Sequence, residues 1–224
     1  SGSIANDLIY IAGGNPLVLL IMGAVTSFIL GIGMTVTAAY IFLAVALAPA
    51  LVQGGGMNPL AVHLFILYWG MLSFITPPVA LGAFAAATVA GARPMETGLK
   101  AMRLGSVIYF IPFLFVLNPA LILQGQWQDI VIVLCQALVG VVLIAGAMQG
   151  YLIGIGDLTV HRALQWPIRV MLVIGGLAFA IPGGGAMPLD HGELFMLSLA
   201  LTLPALIVAW LLVRNVQRAR PHGA

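Results

Sequence analysis

Gly31-Ile32-Gly33-Met34-Thr35-Val36-Thr37 and Ser73-Phe74-Ile75-Thr76-Pro77-Pro78-Val79 stand at the centres of two long apolar stretches, residues 17–52 and 60–92. As unbroken helices rising ~1.5 Å per residue these would measure on the order of 54 and 50 Å, against ~30 Å of hydrocarbon. Neither can be a simple crossing. In the first, Gly31 and Gly33 weaken the helix at its middle, and Thr35 and Thr37 supply hydroxyls for the backbone groups so freed. The arms on either side are each about fifteen residues, short of a full span. Two half-length arms around a polar glycine tip predict a re-entrant hairpin. In the second, neither Pro77 nor Pro78 has an N–H, and each ring crowds the turn before it. Thr76, ahead of a proline, is pushed out of helical geometry. The expectation is a helix broken at mid-membrane depth. Both stretches open alike, on Asn15-Pro16 and Asn58-Pro59, an N-cap followed by a proline at the first helical position.

Working outward, the solvent must be lipid. Hydrophobic residues make up 62% of the 224-residue chain and charged residues 6%, where a soluble domain carries about a quarter charged. Six apolar segments result, at 17–52, 60–92, 104–123, 130–153, 168–182 and 194–213. The third, fourth and sixth are near the ~20 residues that one transmembrane helix needs, and the fifth is short. Arg93, Lys100 and Arg103 lie after the second segment, Arg162 and Arg169 after the fourth, and Arg214, Arg218 and Arg220 after the sixth. The intervening loops carry Gln124, Gln126 and Asp129, then Asp190, His191 and Glu193, and no Lys or Arg. By the positive-inside rule 93–103, 154–169 and the C-terminal 214–224 are cytoplasmic, and 124–129 and 183–193 are outside. Pro94 and the Glu96/Lys100 spacing predict a short surface helix in 93–103. Arg220 to Ala224 read as a frayed end. Ser1-Gly2-Ser3 opens the chain without methionine or a cleavable signal, so it reads as a fragment or a processed product. The net charge of +2 is topology rather than a nucleic-acid signal. Cys135, a lone cysteine in an apolar run, packs as a small hydrophobe.

The paired breaks are the feature that carries chemistry. A half-helix ending inside the membrane exposes carbonyls at its C-terminus, which suit Na⁺, and N–H groups at its N-terminus, which suit a carboxylate. Carbonyls are expected near Gly31 and Gly33 and near Ser73, Phe74 and Ile75. N–H groups are expected from helices beginning near Thr37 and Val79. The candidate ion site is therefore Gly31, Gly33, Thr35 and Thr37 with Ser73, Ile75, Thr76 and Pro77, mostly through backbone carbonyls. Thr37, Pro78 and Val79 are the candidate substrate contacts.

Several of these stretches together resemble a known family. Gly31 to Tyr40, Ala48-Pro49-Ala50-Leu51, Ile75-Thr76-Pro77-Pro78-Val79-Ala80-Leu81, Pro112-Phe113 and Asn118-Pro119-Ala120-Leu121 occur in the order seen in the large permease subunit of TRAP transporters, the tripartite ATP-independent periplasmic systems, and are most similar to the fused TAXI-type permease. The resemblance covers roughly residues 4–124 and fades beyond. It implies an all-α membrane protein, half of an inverted-repeat elevator transporter, coupled to Na⁺ and needing no other cofactor. It implies a small organic anion delivered by an extracytoplasmic solute-binding protein, in the inner membrane, with the N-terminal half of the same permease completing the substrate site. The domains expected are 1–124, the C-terminal repeat, with its re-entrant hairpin at 17–52, broken helix at 60–92 and transmembrane helix at 104–123; and 125–224, a three-helix membrane extension. One departure stands at the hairpin tip, where the family usually carries a proline and this chain has Thr35-Val36.

Plainer readings compete at each position. Pro77-Pro78 can be a simple kink, Gly31 and Gly33 can serve close helix packing, and Thr35 and Thr37 can bond back to their own helix. Asn118-Pro119 reads as a kink near the outer interface, and His63 as a polar residue near a helix start. Tyr40, Tyr68, Trp69, Trp127 and Trp166 read as core or interfacial belt. The histidines show no ligand spacing for a zinc-like metal. An intramembrane protease would need a serine with a histidine, or two aspartates, at mid-depth; Ser27, Ser73, Ser106 and Ser198 are present, but the partners are not, so no enzyme is expected. The alternatives to a TRAP-type permease are a dicarboxylate-type elevator symporter independent of a binding protein, and a membrane scaffold that transports nothing.

Overall fold

The computed structural model describes residues 2–181 and 189–219. The chain divides into two compact units, Ser1–Gln126 and Trp127–Ala224, and each is described by itself. The 183–193 loop falls largely outside the described residues, as does the tail from Arg220.

The first unit begins with α1 (Gly2–Ile11), followed by α2 (Pro16–Gly33) and α3 (Val36–Ala46). Asn15 starts α2 as an N-cap, its Oδ1 accepting from the N–H of Leu17 at 2.9 Å and of Val18 at 3.4 Å. A single π turn, Ala50–Gly54, follows Pro49 and leads to α4 (Pro59–Met71). Asn58 caps α4 in the same manner, accepting from Ala61 N at 3.2 Å. A 3-10 turn, Leu72–Phe74, ends the first half of this second stretch, and α5 (Leu81–Ala90) is its other half. Gly91, at φ 62°, closes α5 in the left-handed conformation that lacks a Cβ penalty in glycine. The core of the unit is aliphatic and aromatic: Leu19, Leu20, Leu43, Leu47, Leu51, Val62, Phe65 and Ile66 are all buried. Outward positions such as Ile21, Val25, Ile29, Ile41, Phe42 and Val45 are exposed and apolar, as a lipid-facing surface requires.

The surface helix expected at 93–103 is α6 (Pro94–Leu104), with Pro94 in its first turn. Its ion pair differs from the expected one. Glu96 reaches back to Arg93 at 2.7 Å instead of forward to Lys100, and both partners are so exposed that the pair contributes little.

The expected transmembrane helix at 104–123 is corrected by the structure. A 3-10 turn (Ser106–Tyr109), α7 (Ile111–Leu117) and another 3-10 turn (Pro119–Ile122) replace it. The causes are local. Gly105 ends α6, Pro112 starts a new helix, and Pro119 has no N–H to continue α7. Asn118 then caps the next turn, its Oδ1 accepting from Ala120 N at 3.1 Å. Taken as a bent pair, 94–104 and 106–117 meet at 65°.

The second unit consists of α8 (Trp127–Gln149), a hairpin of β1 (Tyr151–Leu152) and β2 (Gly156–Asp157), α9 (Gln165–Ala180) and α10 (His191–Ala219). The apolar segment expected to run to 153 leaves the helix at Gln149, because Gly150 takes φ 79° and turns the chain into the hairpin. Among the described residues α8 and α10 are each long and apolar enough to span a bilayer, whereas α9 has 16 residues. Consecutive glycines let α9 lie close to both neighbours. A Cβ on Gly176 would come within 3.0 Å of the Gly140 carbonyl of α8, and one on Gly175 within 2.5 Å of Thr202 Cγ2 of α10. Ser198 Oγ donates to the Gly175 carbonyl at 2.8 Å, which ties α10 to α9 through a buried hydrogen bond. Arg169 donates to the carbonyls of Ala147 and Met148 at 2.5 and 2.8 Å, capping the C-terminal end of α8 with a cation. The molecule is an all-α polytopic membrane protein, with the short hairpin as its sole strand pair among the described residues.

Candidate functional site

Both stretches that decided the sequence reading are broken. At the first, α2 stops at Gly33, Met34 is extended at φ −148° and ψ 175°, and Thr35 is extended at φ −66° and ψ 151°. Thr35 is the N-cap of α3, its Oγ1 accepting from Ala38 N at 3.3 Å. The N–H of Ala39 bonds the Thr35 carbonyl at 2.9 Å, so the N–H groups of Val36 and Thr37 precede the first bond of the helical ladder. Gly31 and Gly33 both lie in the last turn of α2, whose final carbonyls have no partner within the helix. At Thr35-Val36, where the resemblance leads one to expect a proline, a threonine cap starts α3.

At the second break α4 tightens into the 3-10 turn Leu72–Phe74, and the chain then passes through Ile75, Thr76, the cis Pro77–Pro78 bond and Val79 to Ala80. Ala80 is buried and holds φ 35° and ψ 45°, a left-handed conformation in a residue that has a Cβ. The α5 ladder starts with Phe84 N on the Ala80 carbonyl at 2.8 Å. Its orphan N–H groups are therefore those of Leu81, Gly82 and Ala83, a few residues past Val79 and Pro78. Ser73 Oγ donates to the Gly70 carbonyl at 3.0 Å and Thr76 Oγ1 to the Leu72 carbonyl at 2.7 Å. Both hydroxyls are buried. The carbonyls of Ser73, Phe74 and Ile75 lie past the end of the α4 ladder, where carbonyls lose their intrahelical partners. Gly82 sits so near the Phe74 carbonyl that a Cβ there would be 3.3 Å away. The carbonyl end of α4 and the N–H end of α5 thus stand side by side.

The two breaks adjoin. A Cβ built on Gly31 would lie 2.7 Å from the Gly70 carbonyl and 3.0 Å from its Cα, so the last turn of α2 rests directly on the last turn of α4. Two helix C-termini, each carrying partial negative charge, meet at one place. Of the sequence candidates, Gly31, Gly33, Ser73, Ile75 and Thr76 belong to these two ends. Thr35 and Thr37 form the first turn of α3. Pro77 is covered by α6, where a Cβ on Gly98 would meet the Pro77 ring at 2.7 Å.

Further side chains complete the surroundings, and among them Tyr109 was not singled out by the sequence reading. Tyr109 Oη lies 2.8 Å from Thr76 Oγ1. Its ring packs edge-on to Trp69, which also meets Phe28 of α2 and Phe113 of α7. Tyr68 packs against Phe115, so Tyr68 and Trp69 are core aromatics of this region. His63 Nδ1 is 3.1 Å from Tyr40 Oη, a polar link between α4 and α3. The spacing of four in Gly23, Ser27 and Gly31 was the available sequence signal for the α2–α4 contact, because it places small residues on one helical face. Tyr109 carried no comparable signal. Among the described residues no cluster of His, Cys, Asp and Glu could hold a metal.

Two interrupted helices whose ends meet inside an apolar helical bundle are a pattern found in secondary transporters. The family model for the tripartite ATP-independent periplasmic transporter, DctM component, matches residues 1–130, more than half of the chain, and the chain belongs to that family. It is a permease component and a multi-pass protein of the inner membrane. Neither the curated proteins nor the solved structures contain a match to the chain.

Proposed function

We propose that this chain provides the C-terminal repeat of a fused, TAXI-type TRAP permease, which takes up an organic anion together with Na⁺ from an extracytoplasmic solute-binding protein. The observation that carries this reading is the contact of Gly31 with Gly70. It brings the carbonyl ends of α2 and α4 together in a medium of low dielectric. Two like partial charges there are unfavourable unless a cation lies between them. A small hard cation bound by neutral oxygens satisfies both ends, and no buried carboxylate is needed. The orphan N–H groups of Val36 and Thr37, and of Leu81, Gly82 and Ala83, supply the opposite partial charge beside it, suited to a carboxylate. Occupation of the cation site would fix both breaks and so prepare the N–H groups for the anion, which couples the two fluxes. One hairpin and one broken helix make half of an inverted-repeat pair, and the N-terminal half of the permease would supply the other. The basic loops at 93–103 and 154–169 support a cytoplasmic C-terminus.

The test is uptake by the complete permease and its binding protein in proteoliposomes. An inward Na⁺ gradient should drive accumulation, and replacement of Na⁺ by K⁺ should abolish it. Uptake equal in K⁺ contradicts Na⁺ coupling, and full uptake without the binding protein points instead to an independent symporter.

A further inference from the structure

We propose that Ser106, aligned by Tyr109, is a further ligand of the cation, reaching the 72–80 break from the 3-10 turn between α6 and α7. This rests on the reading of that break as the cation site. Two independent observations carry it.

The first is placement. The turn Ser106–Tyr109 is fastened to the break, since Tyr109 Oη lies 2.8 Å from Thr76 Oγ1. Residues i and i+3 of a 3-10 helix eclipse each other, so Ser106 lies on the same face of the turn as Tyr109. Gly105, immediately before it, abuts the same break, where a Cβ would fall 2.9 Å from Ile75 Cδ1. Ser106 thus stands in the chain between Gly105, which abuts Ile75, and Tyr109, which meets Thr76.

The second is chemistry. Ser106 is 3% exposed, and its Oγ meets no hydrogen-bond partner among the described residues. Buried hydroxyls are otherwise almost always paired, because burial strips them of water. The other hydroxyls of the break are engaged: Ser73 with the Gly70 carbonyl, Thr76 with Leu72 and Tyr109. Serine offers two lone pairs, which is what a hard monovalent cation accepts. Tyr109 is the positioning residue, and Ser106 the ligand.

The experiment is the Na⁺ dependence of initial uptake by the complete permease with its binding protein, comparing wild type, Ser106→Ala, Ser106→Thr and Tyr109→Phe. Loss of one oxygen ligand should raise the half-saturating Na⁺ concentration about tenfold in Ser106→Ala. Ser106→Thr keeps the oxygen and should stay near wild type. Tyr109→Phe should shift in the same direction as Ser106→Ala. The Na⁺/Li⁺ preference should also change in Ser106→Ala, a readout that a packing role would not move. A second measurement covers a poorly active variant: the thermal shift produced by NaCl on the purified complex should shrink in Ser106→Ala. An unchanged Na⁺ dependence and an unchanged thermal shift in Ser106→Ala overturn the assignment while leaving the cation site intact. A wild type indifferent to Na⁺ removes the site itself, and with it this ligand.

Discussion

Gly31 is the residue on which the arrangement turns. Its missing side chain lets the last turn of α2 touch the Gly70 carbonyl of α4, and backbone on both sides leaves nothing flexible to give way. Gly31→Ala should cost about 1–3 kcal/mol of stability through overpacking and should lower uptake further, because the two carbonyl ends separate. Gly23→Ala is the control. It lies on the same face of α2, but its added Cβ would make ordinary contacts of 3.4–3.6 Å with Leu51, Leu47 and Phe65. Thermal unfolding and uptake of the two variants should therefore diverge, with Gly23→Ala near wild type. This difference between two glycines on one face was not legible in the sequence, since it depends on what each one meets across the helix interface.

The elements were legible to the extent that their causes are local. Asn15-Pro16 and Asn58-Pro59 cap α2 and α4 through their own side chains, and Thr76-Pro77-Pro78 interrupts the second stretch through missing N–H groups. The tandem proline marked that a helix would end, whereas the exact start of α5 at Leu81 depends on Ala80 adopting a left-handed conformation within buried surroundings. The 104–123 stretch was misread because mean hydropathy outweighed Gly105, Pro112 and Pro119, each of which resets the helix. In the second unit, Arg169 read as a topological charge, but it also caps α8 from 22 residues away. Arg169→Ala should destabilise by about 1.5–3 kcal/mol, the range for hydrogen bonds to a charged group, measured as a fall in melting temperature of the detergent-purified protein. Arg169→Lys should restore only part of it, because one ammonium cannot reproduce the planar fork across two carbonyls.

At the scale of the whole molecule, a bilayer explains the composition, and family membership over residues 1–130 places the broken elements in a permease. The alternation of basic and non-basic loops predicts which faces look inward. Single cysteines at positions 126 and 190, in a background where Cys135, expected to be packed but exposed in the structure, is replaced by serine, should react with a membrane-impermeant thiol reagent added from outside. Labelling from the cytoplasmic side alone would invert the orientation. The hydroxyl of Tyr109 illustrates what a linear reading misses at this scale, since a chain reversal through α6 brings it back to the break.

The central claim is that a cation holds the hairpin tip against the broken helix. Met34, extended and 41% exposed at that tip, reports on it. In the complete permease carrying Met34→Cys and Cys135→Ser, the rate of thiol modification at position 34 should fall when Na⁺ replaces K⁺, with half-protection at the Na⁺ concentration that half-saturates uptake. Equal modification rates in Na⁺ and K⁺, in a variant that still transports, would contradict it.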